Sequence, residues 1–322
     1  MNGISGEDLK MPLLSILIPV YNTDAYIQGT IESVLSQTFT DFELIIVDDH
    51  STDNTYTLCK HYADRDARIK LYRNEVNLGM MANWNHGLTF CKATYFVKLD
   101  ADDRWHTKML ETCVAILEAD EQIGLVFTKY ALINEKGEII DQWERTLPPF
   151  ARNQSFHATD LVKKGTYGML QDDVLKQGVA VIRRKVFDEL GPFLLHDAGD
   201  TEMWFRIGAH YKLHGVDQTY YFYREWADNF TRTQVLRTDK RAKNLFEVRK
   251  LIFDYYYGQK LLSKKEYQLF SADNKFEYDK HVAYRFRRDG HIWKSLGVML
   301  ANTMNHPFRA FSFYFNRLRE KL

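Results

Sequence analysis

The 322-residue chain has few cysteines and no long apolar run. Cys59, Cys91 and Cys113 are widely spaced and form no C-x-x-C motif, which argues against a disulfide framework and against a cysteine-rich zinc site. No stretch approaches the ~20 apolar residues that a membrane-spanning helix needs. The N-terminus lacks the apolar core of a signal peptide. These absences predict a cytoplasmic protein.

Net charge is also lacking, since 43 Lys and Arg balance 43 Asp and Glu. A nucleic-acid-binding domain is normally clearly basic, so we expect no nucleic-acid partner. The balance conceals a split, because residues 1–239 contain 25 basic and 35 acidic side chains whereas residues 240–322 contain 18 basic and 8 acidic ones. Such asymmetry indicates an anionic partner for the C-terminal part.

The chain contains neither G-x-G-x-x-G nor G-x-x-x-x-G-K-[ST], the glycine-rich motifs of dinucleotide-binding and P-loop proteins. It does contain short apolar runs that alternate with helical periodicity. Strands are predicted at residues 15–20, 42–47, 69–72, 95–99, 124–132, 179–183 and 220–223. Helices are predicted at residues 26–37, 51–63 (with Ser51 as N-cap), 80–91, 107–119, 185–190 and 200–211. This order predicts an α/β fold with a mixed, mostly parallel sheet flanked by helices.

Residues 146–167 interrupt the alternation. They follow no regular pattern and contain Pro148, Pro149 and Gly165, which predicts a long loop suited to act as a lid. Beyond residue 239 the pattern is helical, basic and rich in aromatic residues, with helices predicted at residues 240–257 and 264–286.

Polar side chains follow four of the predicted strands. They are Tyr21 with Asn22, Asp48 with Asp49, residues 74–79, and residues 100–103. Ligands bind beyond the carboxyl ends of the strands in open α/β sheets, so these side chains are the first candidates for a binding site. Carboxylate pairs in such a place suit a nucleotide and a divalent cation.

Asp100 and Asp102 can project to the same side of a turn and share one divalent cation with a diphosphate, since Mg²⁺ and Mn²⁺ prefer oxygen ligands. The alternative is a solvated acidic turn, because D-x-D occurs by chance in many proteins. The second pair, Asp48 and Asp49, favours the ligand interpretation. Neighbouring carboxylates repel each other unless a cation or hydrogen-bond donors lie between them.

Two other strand ends carry weaker signals. Tyr21 offers an aromatic face for a base, although Tyr21-Asn22 also suits the start of a helix capped by Asn22 or Thr23. Gly79 permits close backbone approach before the third predicted helix, whose N-terminus favours a diphosphate.

Seven segments resemble, in the family's order, the motifs of family 2 glycosyltransferases, which are inverting sugar-nucleotide enzymes with a Rossmann-like GT-A fold. The segments are residues 15–22, 32–55, 77–88, 97–105, 180–193, 200–208 and 223–231. The resemblance covers over two-thirds of the chain. One such segment would be weak evidence, but the ordered set is specific.

The resemblance implies a nucleotide-binding site at the strand ends. Tyr21 would lie against the nucleobase, and Asp49 would accept a hydrogen bond from the base imide with Asp48 beside it. Asp100 would meet the ribose or the metal, and Asp102 would coordinate the Mn²⁺ or Mg²⁺ ion on the donor diphosphate. The other donor-site positions that match the family are Pro19, Val20, Asn77, Gly79 and Ala101.

The family's catalytic base lies in a Glu-Asp pair before a helix, which corresponds here to Asp200. Two departures affect the acceptor side: Gly199 replaces the Glu of the pair, and Trp226 stands where many relatives have His. Asp197 is a substitute carboxylate if Asp200 points elsewhere. The alternative role for Asp200 is that of a helix N-cap.

These residues imply transfer of a sugar from a nucleoside-diphosphate sugar, UDP-linked by expectation, to a hydroxyl of a saccharide or lipid-linked acceptor. The resemblance further implies bacterial polysaccharide or lipopolysaccharide synthesis. One alternative is a nucleotidyltransferase, which would normally show a glycine-rich loop after the first strand. Another is a non-catalytic relative that binds nucleotide sugar.

We expect a GT-A catalytic domain at residues 1–239, with a donor half at about 12–132 and an acceptor half at about 133–239. A basic helical region at residues 240–322 would follow. Within it, Phe311, Tyr314, Phe315 and Leu318 fall at helical spacing beside basic residues, the pattern of a helix on anionic lipid. Packing on its own domain or an oligomer contact is the alternative to peripheral attachment at the inner membrane face.

Overall fold

The computed structural model describes residues 11–141, 147–165, 179–226, 238–307 and 309. The chain forms two compact units. The described part of the first unit comprises residues 11–141, 147–157 and 179–225. That of the second comprises residues 158–165, 226, 238–307 and 309, so a short segment from mid-chain groups with the C-terminal helices.

The first unit is built around one mixed sheet. Its strands are β1 (Leu14–Val20), β2 (Phe42–Asp48), β3 (Ile69–Arg73), β4 (Tyr95–Lys98), β5 (Arg104–Trp105), β6 (Ile123–Ile133), β7 (Ile139–Asp141), β8 (Gln154–Phe156), β9 (Ala180–Arg183) and β10 (Lys212–Arg224). Its helices are α1 (Ile27–Leu35), α2 (Thr55–Ala63), α3 (Met80–Phe90), α4 (Met109–Ala119), α6 (Lys185–Leu190) and α7 (Gly199–Gly208). A 3₁₀ turn lies at Pro149–Ala151.

The strand order is β3-β2-β1-β4-β9-β6-β10-β5, with β7 paired to β6 and β8 paired to β10. Strands β3, β2, β1 and β4 run parallel, so their carboxyl ends meet at one edge. β9 is antiparallel to both β4 and β6, while β10 runs parallel to β6. The expected mixed sheet is confirmed.

Both faces of the parallel half are covered, which explains why its strands are continuous apolar runs. On one face, Ile16 and Ile18 of β1 belong to a core that includes apolar residues of α1 and α4. On the other face, α3 packs closely on β1, because a Cβ placed on Gly87 would lie 2.4 Å from the Leu17 side chain.

Three details differ from the sequence expectations. α2 begins at Thr55 instead of after Ser51, whose hydroxyl accepts a hydrogen bond from the Asn22 N–H at 3.0 Å. Helix-capping and loop-bridging hydroxyls have the same sequence pattern. β10 is far longer than the predicted 220–223, because its polar residues pair with β6 and β8. The described part of the predicted 146–167 loop contains the 3₁₀ turn, β8 and a short helix.

The second unit is helical. It contains α5 (Thr159–Lys163), α8 (Thr238–Gly258), α9 (Lys264–Arg288) and α10 (Ile292–Asn305). Ser263 and Glu266 form a capping box that starts α9, since each side chain accepts from the other residue's backbone N–H. Among the described helices, none combines the length and apolar character that crossing a bilayer requires. The predicted 311–318 apolar stripe lies outside the described residues.

Candidate active site

Asp48 ends β2 and is fully buried among protein donors. The Arg73 Nε lies 3.1 Å from its carboxylate, and the Ser51 N–H donates to it. From the sequence, a nucleotide or a cation is expected to relieve the repulsion between Asp48 and Asp49. Here the chain itself supplies that compensation, so Asp48 acts as an anchor for the loop after β2.

Asp49 organises the loop that leads into α3. One carboxylate oxygen accepts from the Asn74 amide at 2.7 Å and the Leu78 N–H at 2.8 Å, and the other accepts from the Gly79 N–H at 2.9 Å. The Asn77 amide also donates to the Asp49 carbonyl at 3.2 Å. A carboxylate has about four acceptor positions, so one is not taken by these donors, and Asp49 itself is 2% exposed. Gly79 adopts φ 84, where glycine is favoured.

A chain of amide groups supports Asp49 and was not anticipated from the sequence. Asn74 donates both to Asp49 and to the Asn83 side chain at 2.9 Å, and His86 Nδ1 lies 2.8 Å from the side-chain oxygen Oδ1 of Asn74. The Asn83 amide in turn donates to the Val47 carbonyl. These contacts link the ends of β2 and β3 to α3, which places the N-terminus of α3 at the strand edge.

Tyr21 stands at the end of β1 with 48% of its surface exposed. The following Asn22 has φ 50 and its side-chain oxygen accepts from the Thr52 N–H at 2.8 Å, so it bridges two loops and does not cap a helix. Pro19 is half-buried, whereas Val20 is buried in the core. Tyr21 therefore offers an open aromatic face at the end of β1.

The acidic turn after β4 is anchored by its last member. The buried Asp103 carboxylate accepts from the Tyr221 hydroxyl and, at 2.7 Å, from the Arg224 N–H. The Arg224 Nε donates to the Asp102 carbonyl at 2.6 Å. Thr30 of α1 donates to the carbonyls of Ala101 and Asp103. Asp100 and Asp102 are left partly exposed on a turn whose backbone is held from two sides.

Lys98, the last residue of β4, was not singled out by sequence reasoning. It is only 3% exposed, its Nζ lies 2.6 Å from Asp100, and it lies 3.7 Å from the centre of the Trp84 ring. A buried ammonium group requires such partners because desolvation is costly. Lys98 also interacts electrostatically with Asp200. It is thus the cation that joins the acidic turn to the candidate base.

Asp200 lies in the first turn of α7 and is half-buried. Burial raises the pKa of its carboxyl, the nearby Lys98 charge opposes that shift, and the Asp100 charge adds to it. Its carboxylate accepts from the neighbouring Thr201 N–H at 2.6 Å. The N-cap of α7 is Ala198, so the alternative role of Asp200 as N-cap is wrong. Asp197 lies in the turn before the helix.

The close packing around position 199 explains why this residue is a glycine. A Cβ at this position would lie 2.5 Å from the Leu194 carbonyl oxygen and 2.7 Å from the Met81 methyl group. No larger residue fits unless the backbone of the 191–198 loop moves. The same loop is fixed to α3 by Asn85, whose amide exchanges hydrogen bonds with the backbone of Phe193. The backbone around position 199 is therefore packed for a glycine and not for the Glu of the family pattern.

The acidic turn matches the donor set of a Mg²⁺ or Mn²⁺ ion that also binds a diphosphate. Within the described residues, no group of three or more His, Cys, Asp or Glu is arranged to hold a metal. Such ions, however, commonly take one or two carboxylates and complete their shell with phosphate oxygens and water. Burial, then the Asp102 and Asp100 charges, raise the pKa of Asp103 well above its usual value. A cation would offset that negative charge.

Comparison with known proteins connects this geometry to one family. The sequence model of Glycosyl transferase family 2 matches residues 15–191. EpsE of Bacillus subtilis, which is assigned to the glycosyltransferases, is 30% identical over 69% of this chain and 76% of its own length. TuaG of the same species, assigned to teichuronic acid biosynthesis, is 35% identical over 41% of this chain. The matched stretch spans 52% of TuaG, and 39% of an uncharacterised Haemophilus influenzae glycosyltransferase that is 34% identical.

Solved structures share the fold. Residues 1–349 of S. aureus TarS, in complex with UDP-GlcNAc, superpose with a TM-score of 0.60 at 15% identity, covering 94% of this chain and 92% of that one. A mannosyltransferase from Pyrobaculum calidifontis, in complex with GDP-Man and Mn²⁺, gives a TM-score of 0.56 at 15% identity, covering 97% and 81%. These likenesses confirm the expected GT-A type of fold.

Proposed function

The chain belongs to glycosyl transferase family 2, and we propose that it transfers a sugar from a nucleoside-diphosphate sugar to an acceptor hydroxyl with inversion at the anomeric carbon. The observation that carries the proposal is the strand edge itself. It brings together an open aromatic face, a carboxylate with one remaining acceptor position, an anchored acidic turn and a half-buried carboxylate joined to that turn by Lys98.

The donor nucleotide would lie along the ends of β1, β2 and β4. Tyr21 would stack on the base, and the remaining acceptor position of Asp49 would receive an imide N–H. Pro19 and the backbones of Val20 and Ala101 would border the nucleoside. Uracil and guanine both carry a ring N–H donor; we propose a UDP-linked donor, which the UDP-GlcNAc complex of the TarS neighbour supports. The diphosphate would lie near Asn77, Gly79 and the N-terminus of α3.

Asp100 and Asp102 would hold a Mn²⁺ or Mg²⁺ ion together with the donor diphosphate. The ion, when bound, would stabilise negative charge on the leaving phosphate. The Mn²⁺ in the complex of the mannosyltransferase neighbour supports this assignment. The turn that Asp103, Tyr221 and Arg224 anchor would keep both carboxylates in place without adjustment during the reaction.

Asp200 would act as the general base. Its carboxylate would take the proton of the acceptor hydroxyl while the hydroxyl oxygen attacks the anomeric carbon. The bond to the nucleoside diphosphate breaks on the opposite face, and the nucleoside diphosphate leaves with the bonding electron pair. One displacement inverts the anomeric configuration and needs no covalent nucleophile. Lys98 would keep Asp200 ionised and correctly placed beside the acidic turn.

We further propose a saccharide or lipid-linked acceptor in bacterial surface-polysaccharide or lipopolysaccharide synthesis, which the teichuronic acid assignment of TuaG supports. A lipid-linked acceptor would bring the protein to the inner membrane face as a peripheral protein. The basic C-terminal region is the part suited to that contact. The family match argues against a nucleotidyltransferase, and the packing reason for Gly199 removes one argument for a non-catalytic relative.

The decisive experiment is a screen of nucleotide sugars for thermal stabilisation in the presence of Mn²⁺, followed by turnover assays with the donor that binds. We expect stabilisation by a UDP-sugar and metal-dependent donor hydrolysis or transfer. Stabilisation by GDP-sugars alone would contradict the proposal that the donor nucleobase is uracil. The absence of any turnover would favour a non-catalytic role.

The metal assignment has its own test. Asp102→Asn should abolish metal-dependent turnover while preserving the fold, because the Asp102 carbonyl that accepts from Arg224 is unchanged and Asn has nearly the same shape. Asp64→Asn, on the exposed end of α2, is the matched control and should retain full activity. Full Mn²⁺-dependent activity of Asp102→Asn would contradict the assignment.

A further inference from the structure

Helix α10 directs two polar side chains, Ser295 and Asn302, against α9. The Ser295 hydroxyl donates to the Ala283 carbonyl of α9 at 2.7 Å, and the Asn302 amide donates to the Phe276 carbonyl at 3.1 Å. Both side chains are buried. The helix is therefore attached to α9 by hydrogen bonds at its polar positions, a reversal of the usual arrangement in which a surface helix buries its apolar face.

The opposite face of α10 is apolar and open to solvent. Trp293 is 86% exposed, Leu296 50%, Leu300 63% and Met304 73%. These positions are spaced at three- and four-residue intervals, so they form one stripe along the helix. Gly297 and Ala301, which lie on the same side, are also exposed. A contiguous exposed apolar surface of this kind marks an interaction site.

Basic residues flank this stripe in the sequence. Residues 285–322 contain 8 Lys and Arg against 2 Asp and Glu. Arg287 and Arg288 lie exposed at the end of α9, directly before α10, and Lys294 is exposed in its first turn. An apolar stripe with Trp and Leu beside basic residues is the pattern of a helix that lies at a lipid interface.

We propose that α10 docks in the plane of an anionic lipid bilayer, with the Trp293–Met304 stripe inserted among the acyl chains and the basic residues at the headgroups. A second copy of the chain is a poorer occupant, because a two-fold interface would bring the basic regions together. Anionic headgroups instead neutralise them. The 14-residue helix is ~21 Å long, shorter than the ~30 Å bilayer core, which agrees with an in-plane orientation.

This inference deepens the peripheral membrane contact that forms part of the proposed function, but it uses no catalytic residue. The test is cosedimentation of the full-length protein with vesicles of phosphatidylcholine alone and with vesicles that also contain phosphatidylglycerol. We expect strong binding to the anionic vesicles, weak binding to the neutral ones, and a loss of binding as salt is raised.

Two sets of variants separate the apolar and electrostatic contributions. Leu296→Gln with Leu300→Gln should weaken binding to anionic vesicles by about tenfold or more, since both side chains lose apolar contact with lipid. Ile139→Gln with Leu269→Gln removes two similarly exposed apolar side chains elsewhere and should bind like the wild type. Arg287→Gln and Lys294→Gln should each weaken binding about fivefold at low salt and have little effect at high salt.

The proposal is overturned if the protein ignores anionic vesicles or if the Leu296/Leu300 variant binds them as the wild type does. Light scattering after size-exclusion chromatography gives the oligomeric state, which tests whether a second copy of the chain covers the stripe instead. If the wild type is a dimer that does not bind vesicles, and the Leu296/Leu300 variant is a monomer, then the stripe contacts a second copy of the chain and not lipid. Donor turnover is measured without vesicles on every variant, so a failure of the catalytic proposal is recorded separately from a failure of membrane docking.

Discussion

Lys98 shows how a single buried charge can connect two parts of a site. Its neighbours are Trp84, Asp100 and Asp200, which come from α3, the acidic turn and α7. In the sequence it belongs to the apolar run 95–99, where the local pattern predicts a strand and gives no indication that its one lysine has a function. The functional interpretation depends on side chains 14 positions before it and 102 positions after it, a relationship that local patterns do not contain.

Replacing Lys98 by Met should reduce kcat/KM by about tenfold or more, since a hydrogen bond to a charged group is worth about 1.5–3 kcal/mol. The change keeps the apolar stem on Trp84 but removes the charge that lowers the pKa of Asp200. The acid limb of the pH–rate profile should therefore move to higher pH, which a purely structural defect would not cause. Lys92→Met, at an exposed lysine before β4, should leave the profile unchanged.

Asp200 has opposite effects on activity and stability. Burial raises the pKa of its carboxyl in the folded state, so folding favours the protonated form. A general base must be ionised, and the ionised form of Asp200 lowers the free energy of unfolding. This loss is complete above the raised pKa and disappears as the pH falls below the unfolded-state pKa. Asp200→Asn should thus lose turnover and gain thermal stability at neutral pH.

Melting curves at several pH values test the predicted gain in stability of Asp200→Asn. The stability difference between Asp200→Asn and the wild type should shrink as the pH is lowered towards the ordinary range of an aspartic acid. A variant that is inactive but less stable than the wild type at neutral pH would indicate a structural role for the carboxylate instead.

At the scale of elements, α3 and the 191–198 loop position the base. Asn85 fixes the loop to α3 through Phe193, and Gly199 allows the start of α7 to approach the Leu194 carbonyl. From the sequence, the N-terminus of α3 is expected to favour a diphosphate. The structure adds that its side-chain amides connect β2, β3 and the loop before α7, so the helix also supports both sides of the candidate site.

Gly199→Ala should destabilise the protein by about 1–3 kcal/mol, because the added Cβ would meet the Leu194 carbonyl oxygen at 2.5 Å. Gly297→Ala, in the exposed part of α10 where an added Cβ meets nothing within 4 Å, should instead stabilise by about 0.4–1 kcal/mol. Urea unfolding measures the free energy of unfolding of both variants and of the wild type. Equal effects at the two glycines would refute the packing explanation for Gly199.

At the scale of the whole molecule, the charge split corresponds to different structural roles. Acidic side chains of the first unit are compensated in part by the chain itself, as at Asp48 and Asp103. Much of the basic charge lies in the helical second unit, which also carries the exposed stripe of α10. A balanced total charge therefore does not argue against an anionic partner for one region of the chain.

The sequence by itself determined the α/β alternation, the order of the motifs and the strand ends at which a nucleotide would bind. These features depend on local periodicity and on the rule that parallel strands share one ligand-binding edge. It did not determine that Asp48 is compensated internally, that Val20 is buried, that Lys98 joins Asp100 to Asp200 or that α10 faces outward with its apolar side. Each of these depends on which distant residues meet after folding, and only the tertiary structure decides that.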